Sequence, residues 1–200
     1  AVQKRLNMSC PWGVLLSGGL DSTIIAKCVS QCIRPKGYPI IHTFSIGLKG
    51  SPDLAAAAEV ARELGTCHHP VVYTVEEGLA AIPAVIGAVE TYDVTTVRAS
   101  VPMYLLARVI RRCGIKVVLS GEGADELFAG YAYNGFAPGE KALAEECIRK
   151  MDMLHAYDCA RANKSCAAHG VECRVPFLDR QVVDWAMNTL HPRQKMWDKI

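Results

Sequence analysis

The chain has 200 residues, half of them apolar and about a fifth charged, with a formal charge of +2. That is enough chain for one domain with a real core, and too little positive charge to single out nucleic acid as a partner. No apolar run approaches the roughly 18 residues that a membrane span needs, and no apolar signal core follows Lys4 and Arg5. Residues 1–10 read as a polar helix and residues 12–16 as a first strand. Ser17, Gly18 and Gly19 form a turn, after which helical spacing runs from Leu20 or Asp21 to about Cys32. Residues 34–39 are a turn-rich connection, and residues 40–46 are a second strand ended by Gly47. Leu54, Ala57, Ala58, Ala61 and Leu64 mark the apolar stripe of the next helix, which Gly65 stops. Residues 70–75 are a third strand, and residues 76–89 a helix weakened by Pro83 and Gly87. Residues 100–113 are a stronger helix with Pro102 near its start. Residues 115–119 are a fourth strand, apolar enough to be buried on both faces.

Strands that alternate with helices predict an α/β fold, a parallel sheet with helices on both faces. Ligands of such sheets bind beyond the carboxyl ends of the strands. After Tyr131 the pattern changes: residues 138–170 are helical without strand runs, residues 174–179 are a turn and residues 182–189 a short helix. The expected organisation is an α/β nucleotide-binding core over residues 1–131 and a helical C-terminal flank over residues 132–200.

Nine cysteines are scattered singly, with no Cys-x-x-Cys. Cys28 and Cys32 lack a second pair, and Cys67, His68 and His69 read as a short loop whose adjacent side chains point apart, a poor metal site. Free thiols in a reducing compartment, the cytoplasm, are the expectation.

Two loops carry the chemistry. The first is Ser17-Gly18-Gly19-Leu20-Asp21-Ser22, where a strand meets a helix N-terminus through two glycines. Backbone N–H groups and the helix dipole favour an anion there, and glycines let it come close. A plain turn capped by Asp21 and Ser22 is the simpler alternative. The loop lacks the Gly-Lys-Ser/Thr ending of nucleotide-triphosphatase loops and the Gly-x-Gly-x-x-Gly of dinucleotide folds. Instead an acid follows the glycines, and a carboxylate beside phosphates calls for a cation between them, which points to Mg²⁺. The second loop, Ser120-Gly121-Glu122-Gly123-Ala124-Asp125-Glu126, repeats the design after the fourth strand. Helix-dipole complementarity accounts for Asp125 and Glu126 but not for the glycines around Glu122. Two acids beside one polyphosphate suit a magnesium pyrophosphate, and clamping the β,γ-pyrophosphate as leaving group directs attack to the α-phosphate.

Ser17 to Ser22 resembles the pyrophosphate loop of the ATP pyrophosphatases, a Rossmann-like fold. Together with residues 90–100, 119–131 and 174–179, it resembles the synthetase domain of glutamine-hydrolysing asparagine synthetases over almost the whole chain. That resemblance implies an ATP-dependent ligase: the aspartate β-carboxylate attacks the α-phosphate, pyrophosphate leaves, and ammonia displaces AMP from β-aspartyl-AMP. It implies that Ser17, Gly18, Gly19 and Ser22 hold pyrophosphate and that Asp21 and Asp125 hold its Mg²⁺. Leu16, Ile46, Ser120 and Gly121 match positions along AMP. Glu122 matches a glutamate of the acyl-adenylate and ammonia steps, and Thr95, Thr96 and Arg98 match groups near pyrophosphate and aspartate. The guanidinium of Arg98 is suited to a carboxylate or phosphate. The implied cofactors are ATP and Mg²⁺, and the implied partners aspartate, ammonia, a glutaminase domain of the parent chain and a homodimeric copy, with neither nucleic acid nor membrane. The stretch before the first strand has no room for that glutaminase domain, so the chain reads as a fragment. The family's catalytic lysine belongs after Lys195 and Met196, where Lys199 is not matched to it. A β-lactam synthetase-like adenylating enzyme and a non-catalytic nucleotide-binding module are the alternatives.

Overall fold

The computed structural model describes residues 1–6, 9–33 and 40–195. Its centre is a parallel sheet of five strands: β1 (Trp12–Leu15), β2 (His42–Leu48), β3 (Cys67–Tyr73), β4 (Val117–Leu119) and β5 (Glu172–Arg174), in the order β3-β2-β1-β4-β5. The chain winds outward from β1 to β3, then returns to pair β4 on the other side of β1. The order therefore reverses between β1 and β4, which opens a crevice beyond their carboxyl ends.

Alternation along β1 sorts the core into two layers. Val14 and Leu16 face α2 (Leu20–Ile33) and α3 (Pro52–Leu64), meeting Ile25, Val29, Ala57 and Ala61. Leu15, Phe44 and Val118 face α5 (Val94–Arg112) and α8 (Asp158–Ala167), meeting Leu106, Ile110 and Cys166. A third cluster joins α4 (Val75–Val89) to α5 through Val85, Val89, Val101 and Leu105. Helices thus cover both faces, as the α/β pattern predicts. At the amino end, α1 (Val2–Arg5) is tied down by Lys4 and Arg5, which both pair with Asp179, the N-cap of α9 (Arg180–Asn188).

Local contacts fix two helix ends. Gly65 closes α3 in the left-handed conformation, its N–H bonded to Ala61 and Arg62 carbonyls. Thr74 and Glu77 form a reciprocal capping box that starts α4 despite Pro83.

Elsewhere pairing overrode pattern. The second strand runs two residues later than expected and passes through Gly47, because it pairs with β3 along its whole length. The third strand is Cys67–Tyr73, not 70–75. Cys67, His68 and His69 are therefore in a strand, not a loop. Pro70 is tolerated because β3 is an edge, where one row of N–H groups has no strand to meet. The long helix begins at Val94 instead of Ser100, since Asp93 accepts from Thr96 N–H, and Pro102 lies inside it. The fifth strand was unexpected, its three residues too short to show a period. The N-terminal helix covers only Val2–Arg5. The connection at 34–39 and Lys199 lie outside the described residues.

Beyond the sheet, α6 (Ala124–Phe128) follows the second glycine loop, and α7 (Glu140–Met153) and α8 complete the wall of the crevice, with α10 (Pro192–Lys195) against α7.

Candidate active site

The first loop is held by its own serines. The Ser17 and Ser22 hydroxyls lie 3.0 Å apart, Ser22 Oγ accepts from Ser17 N–H at 3.2 Å, and it donates to the Gly19 carbonyl at 3.1 Å. Ser22 is buried while Ser17 and Gly19 are exposed, and Gly19 N–H donates to Ser17 Oγ at 3.3 Å. Its two glycines do different work. Gly18 has φ +83°, and a Cβ there would stand 2.6 Å from the Ala56 and Ala57 backbone of α3. A Cβ on Gly19 would meet only Ser17 Oγ, at 3.4 Å.

The second loop lies directly against the first. A Cβ on Gly121 would stand 3.0 Å from Ser22 N and 3.2 Å from Asp21 Cβ. Only glycine lets the end of β4 approach the start of α2 so closely. Ser120 Oγ accepts from Glu122 N–H at 3.2 Å, and Ser120 N–H donates to the Arg174 carbonyl at 2.9 Å, fixing the loop to β5.

Around these loops is a cavity of about 720 Å³. Ser17, Gly19, Asp21, Ser22, Thr95, Thr96, Arg98, Ser120, Gly121, Glu122 and Asp125 all line it. Three expected residues do not. Leu16 is fully buried beneath, in the layer with α2. Gly18 turns toward α3, and Ile46 lines a separate cleft with Gly47 and Leu48. Thr96 is buried, and its hydroxyl already donates to Asp93 at 2.7 Å, which fixes the N-terminus of α5. Arg98, by contrast, is exposed at the rim.

The far wall comes from the C-terminal helices α7 and α8. Arg149 and Lys150 of α7, Tyr157 just before α8, and Asp158 and Arg161 of α8 line the cavity. Arg161 donates to the Glu122 carboxylate through one guanidinium nitrogen and pairs with Asp158 through another, at 2.7 Å. Burial pushes the Glu122 carboxyl up from 4.5 to about 7, against the pull of Arg161 and with help from the charges of Asp158 and Glu126. A carboxyl poised there can both take and return a proton near neutrality. Glu126 is buried too, its carboxyl raised mainly by burial while the Tyr131 hydroxyl donates to it. Sequence reasoning missed Arg161, Asp158 and Tyr131; a basic residue on an amphipathic helix carries no local mark of the cavity it faces.

Asp21 and Asp125, on the two touching glycine loops, both line the cavity and offer carboxylate oxygens. That hard-oxygen set suits Mg²⁺, which takes one or two carboxylates and completes its shell with phosphate and water.

The family model described as asparagine synthase matches residues 1–138 and 134–200. The chain is 55% identical to asparagine synthetase B (glutamine-hydrolyzing) of Escherichia coli (strain K12), over 98% of the chain and 37% of that protein. It is 54% identical to asparagine synthetase (glutamine-hydrolyzing) 2 of Oryza sativa subsp. japonica, over 98% of the chain and 34% of the relative. Asparagine synthetase (glutamine-hydrolyzing) 3 of Arabidopsis thaliana is 53% identical, with 98% and 35% covered. The chain thus spans little more than a third of the length of these relatives.

Proposed function

The chain belongs to the asparagine synthase family, and we propose that it carries the ATP-dependent amide-forming site of an asparagine synthetase. The reaction joins aspartate and ammonia, with ATP cleaved to AMP and pyrophosphate. The observation that carries this reading is the contact between the two glycine–acid loops, with Glu122 set beside them in the same cavity.

In this reading ATP lies across the β1/β4 crevice. The N–H groups of the Ser17–Ser22 turn and the N-terminus of α2 receive the β,γ-pyrophosphate. Asp21 and Asp125 are the residues that would hold Mg²⁺, which, when bound, neutralises charge on the leaving pyrophosphate. Ser120 and Gly121 run along AMP. Arg98 and Thr95, at the rim, orient the aspartate carboxylates. An oxygen of the aspartate β-carboxylate bonds to the α-phosphorus as the α,β-bridging bond breaks and pyrophosphate departs. Ammonia then bonds to the β-carbonyl carbon and AMP leaves with its oxygen. Glu122 takes the proton that the attacking nitrogen must lose, and Arg161 holds its carboxylate toward the cavity. Ammonia comes from glutamine through a glutaminase domain of the parent chain.

The mature compartment in this reading is the cytoplasm. All nine cysteines are free, and no described helix is long and apolar enough to cross a membrane.

Aspartate labelled with oxygen-18 in its β-carboxylate provides the test. With ATP, Mg²⁺ and ammonium, the chain within its full reading frame should release pyrophosphate and place one label in AMP. ADP and phosphate as products, or AMP without label, would sink the adenylation reading. Exchange of labelled pyrophosphate into ATP driven by another amino acid, but not by aspartate, would move the chain to a β-lactam synthetase-like reaction.

A further inference from the structure

The opposite end of the sheet carries a second constellation that the cavity does not use. His42 opens β2 and Cys67 opens β3, and the two are direct partners in the parallel register. His69 follows Cys67 by two positions, so strand alternation puts both on one face, beside His42. His42 Nδ1 lies 2.9 Å from His69 Nε2, and Cys67 Sγ lies 3.6 Å from the same nitrogen. The three ligand atoms all fall within 4.8 Å of one another. The histidine rings are stacked, 5.2 Å between centroids, and Phe44 backs His69 at 4.7 Å.

We propose that His42, Cys67 and His69 form a three-ligand site for a divalent transition metal ion of the zinc class. A tetrahedral centre with metal–nitrogen bonds of about 2.0–2.1 Å and a metal–sulfur bond of about 2.3 Å puts nitrogen and sulfur about 3.6 Å apart. It puts two nitrogens about 3.3 Å apart. The observed separations are the same for one pair and a few tenths of an ångström short for the other. Two imidazoles and a thiolate are also the donor set that favours zinc-class ions over magnesium or calcium. Binding sends the thiol proton to solvent and replaces the His42–His69 hydrogen bond with two metal bonds.

The ion would staple the edge strand β3 to β2. A seven-residue strand is about 23 Å long, so the staple sits a strand's length from the carboxyl-end crevice. His68 takes no part. It points to the other face, where its ring bonds to Thr43 at 2.9 Å and Ser45 at 3.0 Å.

Cobalt(II), titrated into the reduced metal-free protein, tests the proposal directly. One equivalent should produce tetrahedral ligand-field bands and a thiolate-to-cobalt charge-transfer band, and one equivalent of zinc should bleach both. Cys67→Ser should abolish the charge-transfer band, and His42→Gln should weaken zinc binding by about tenfold or more. Cys113→Ser, at an exposed thiol, should change neither. Circular dichroism checks that each variant is folded; if Cys67→Ser is not, the wild-type spectrum and His42→Gln decide. Absence of tetrahedral bands in the wild type, or zinc affinity unchanged in folded His42→Gln, would overturn the site.

Discussion

Arg161 on α8 donates to the carboxylate of Glu122, 39 positions earlier, on the loop that ends β4. This pair joins the helical half of the chain to the α/β half inside the cavity. It also leaves a carboxyl whose folded pKa, about 7, stands above its ordinary 4.5 because burial outweighs the guanidinium.

That inequality has a thermodynamic consequence. Between pH 4.5 and about 7 the folded chain keeps a proton on Glu122 that the unfolded chain has released. Stability therefore falls as pH rises through this window and levels off above it. Glu122→Gln should remove a pH-dependent component of about 3 kcal/mol at most. Urea unfolding of both proteins at a series of pH values measures it, and parallel curves would show that Glu122 does not titrate there.

Removing the guanidinium should shift catalysis as well. Arg161→Met leaves Glu122 buried beside Asp158 and Glu126 alone, which raises its carboxyl further. The acid limb of the pH profile for ammonium-dependent asparagine formation should move to higher pH, and Arg161→Lys should return part of the way. An unchanged limb would make some other group the base.

The glycines of the first loop should separate fold from ligand. Gly18→Ala combines φ +83° with a 2.6 Å approach to α3, and should cost about 2 kcal/mol of stability. Gly19→Ala meets nothing closer than 3.4 Å and should leave stability within about 1 kcal/mol. Because Gly19 faces the cavity, its extra methyl should weaken ATP binding by about tenfold. Thermal unfolding and nucleotide titration read the two effects apart.

Asp21→Asn and Asp125→Asn should each raise the Mg²⁺ concentration needed for half-maximal pyrophosphate release by about tenfold or more. Both residues line the cavity on different loops, so the double variant should lose the Mg²⁺ response altogether. Retained response in the double variant would take the metal elsewhere.

The Ser17–Ser22 and Ser120–Glu126 loops were legible in the chain because their chemistry is local. A strand, a glycine turn, an acid and a helix start fall within a few residues of one another, and alternating elements brought both loops to the carboxyl ends of a parallel sheet. Their direct contact was not legible. It depends on β1 and β4 being neighbours, and on Gly121 having no side chain to hold Asp21 away. The same is true of Arg161 and Asp158, whose helix shows amphipathic spacing but no address.

The amino-acid order by itself determined the α/β class, the two loops and their acids, since periodicity, capping and glycine freedom act over short stretches of chain. Tertiary structure alone decided three things. Edge pairing turned Cys67, His68 and His69 from a loop into a strand, and alternation then set Cys67 and His69 beside His42. Parallel pairing recruited Glu172–Arg174 as a fifth strand. Packing of α8 against α5 brought Arg161 to Glu122. Each rests on contacts between distant segments, whose free energy comes from burial and hydrogen bonding after folding and leaves no period in the sequence.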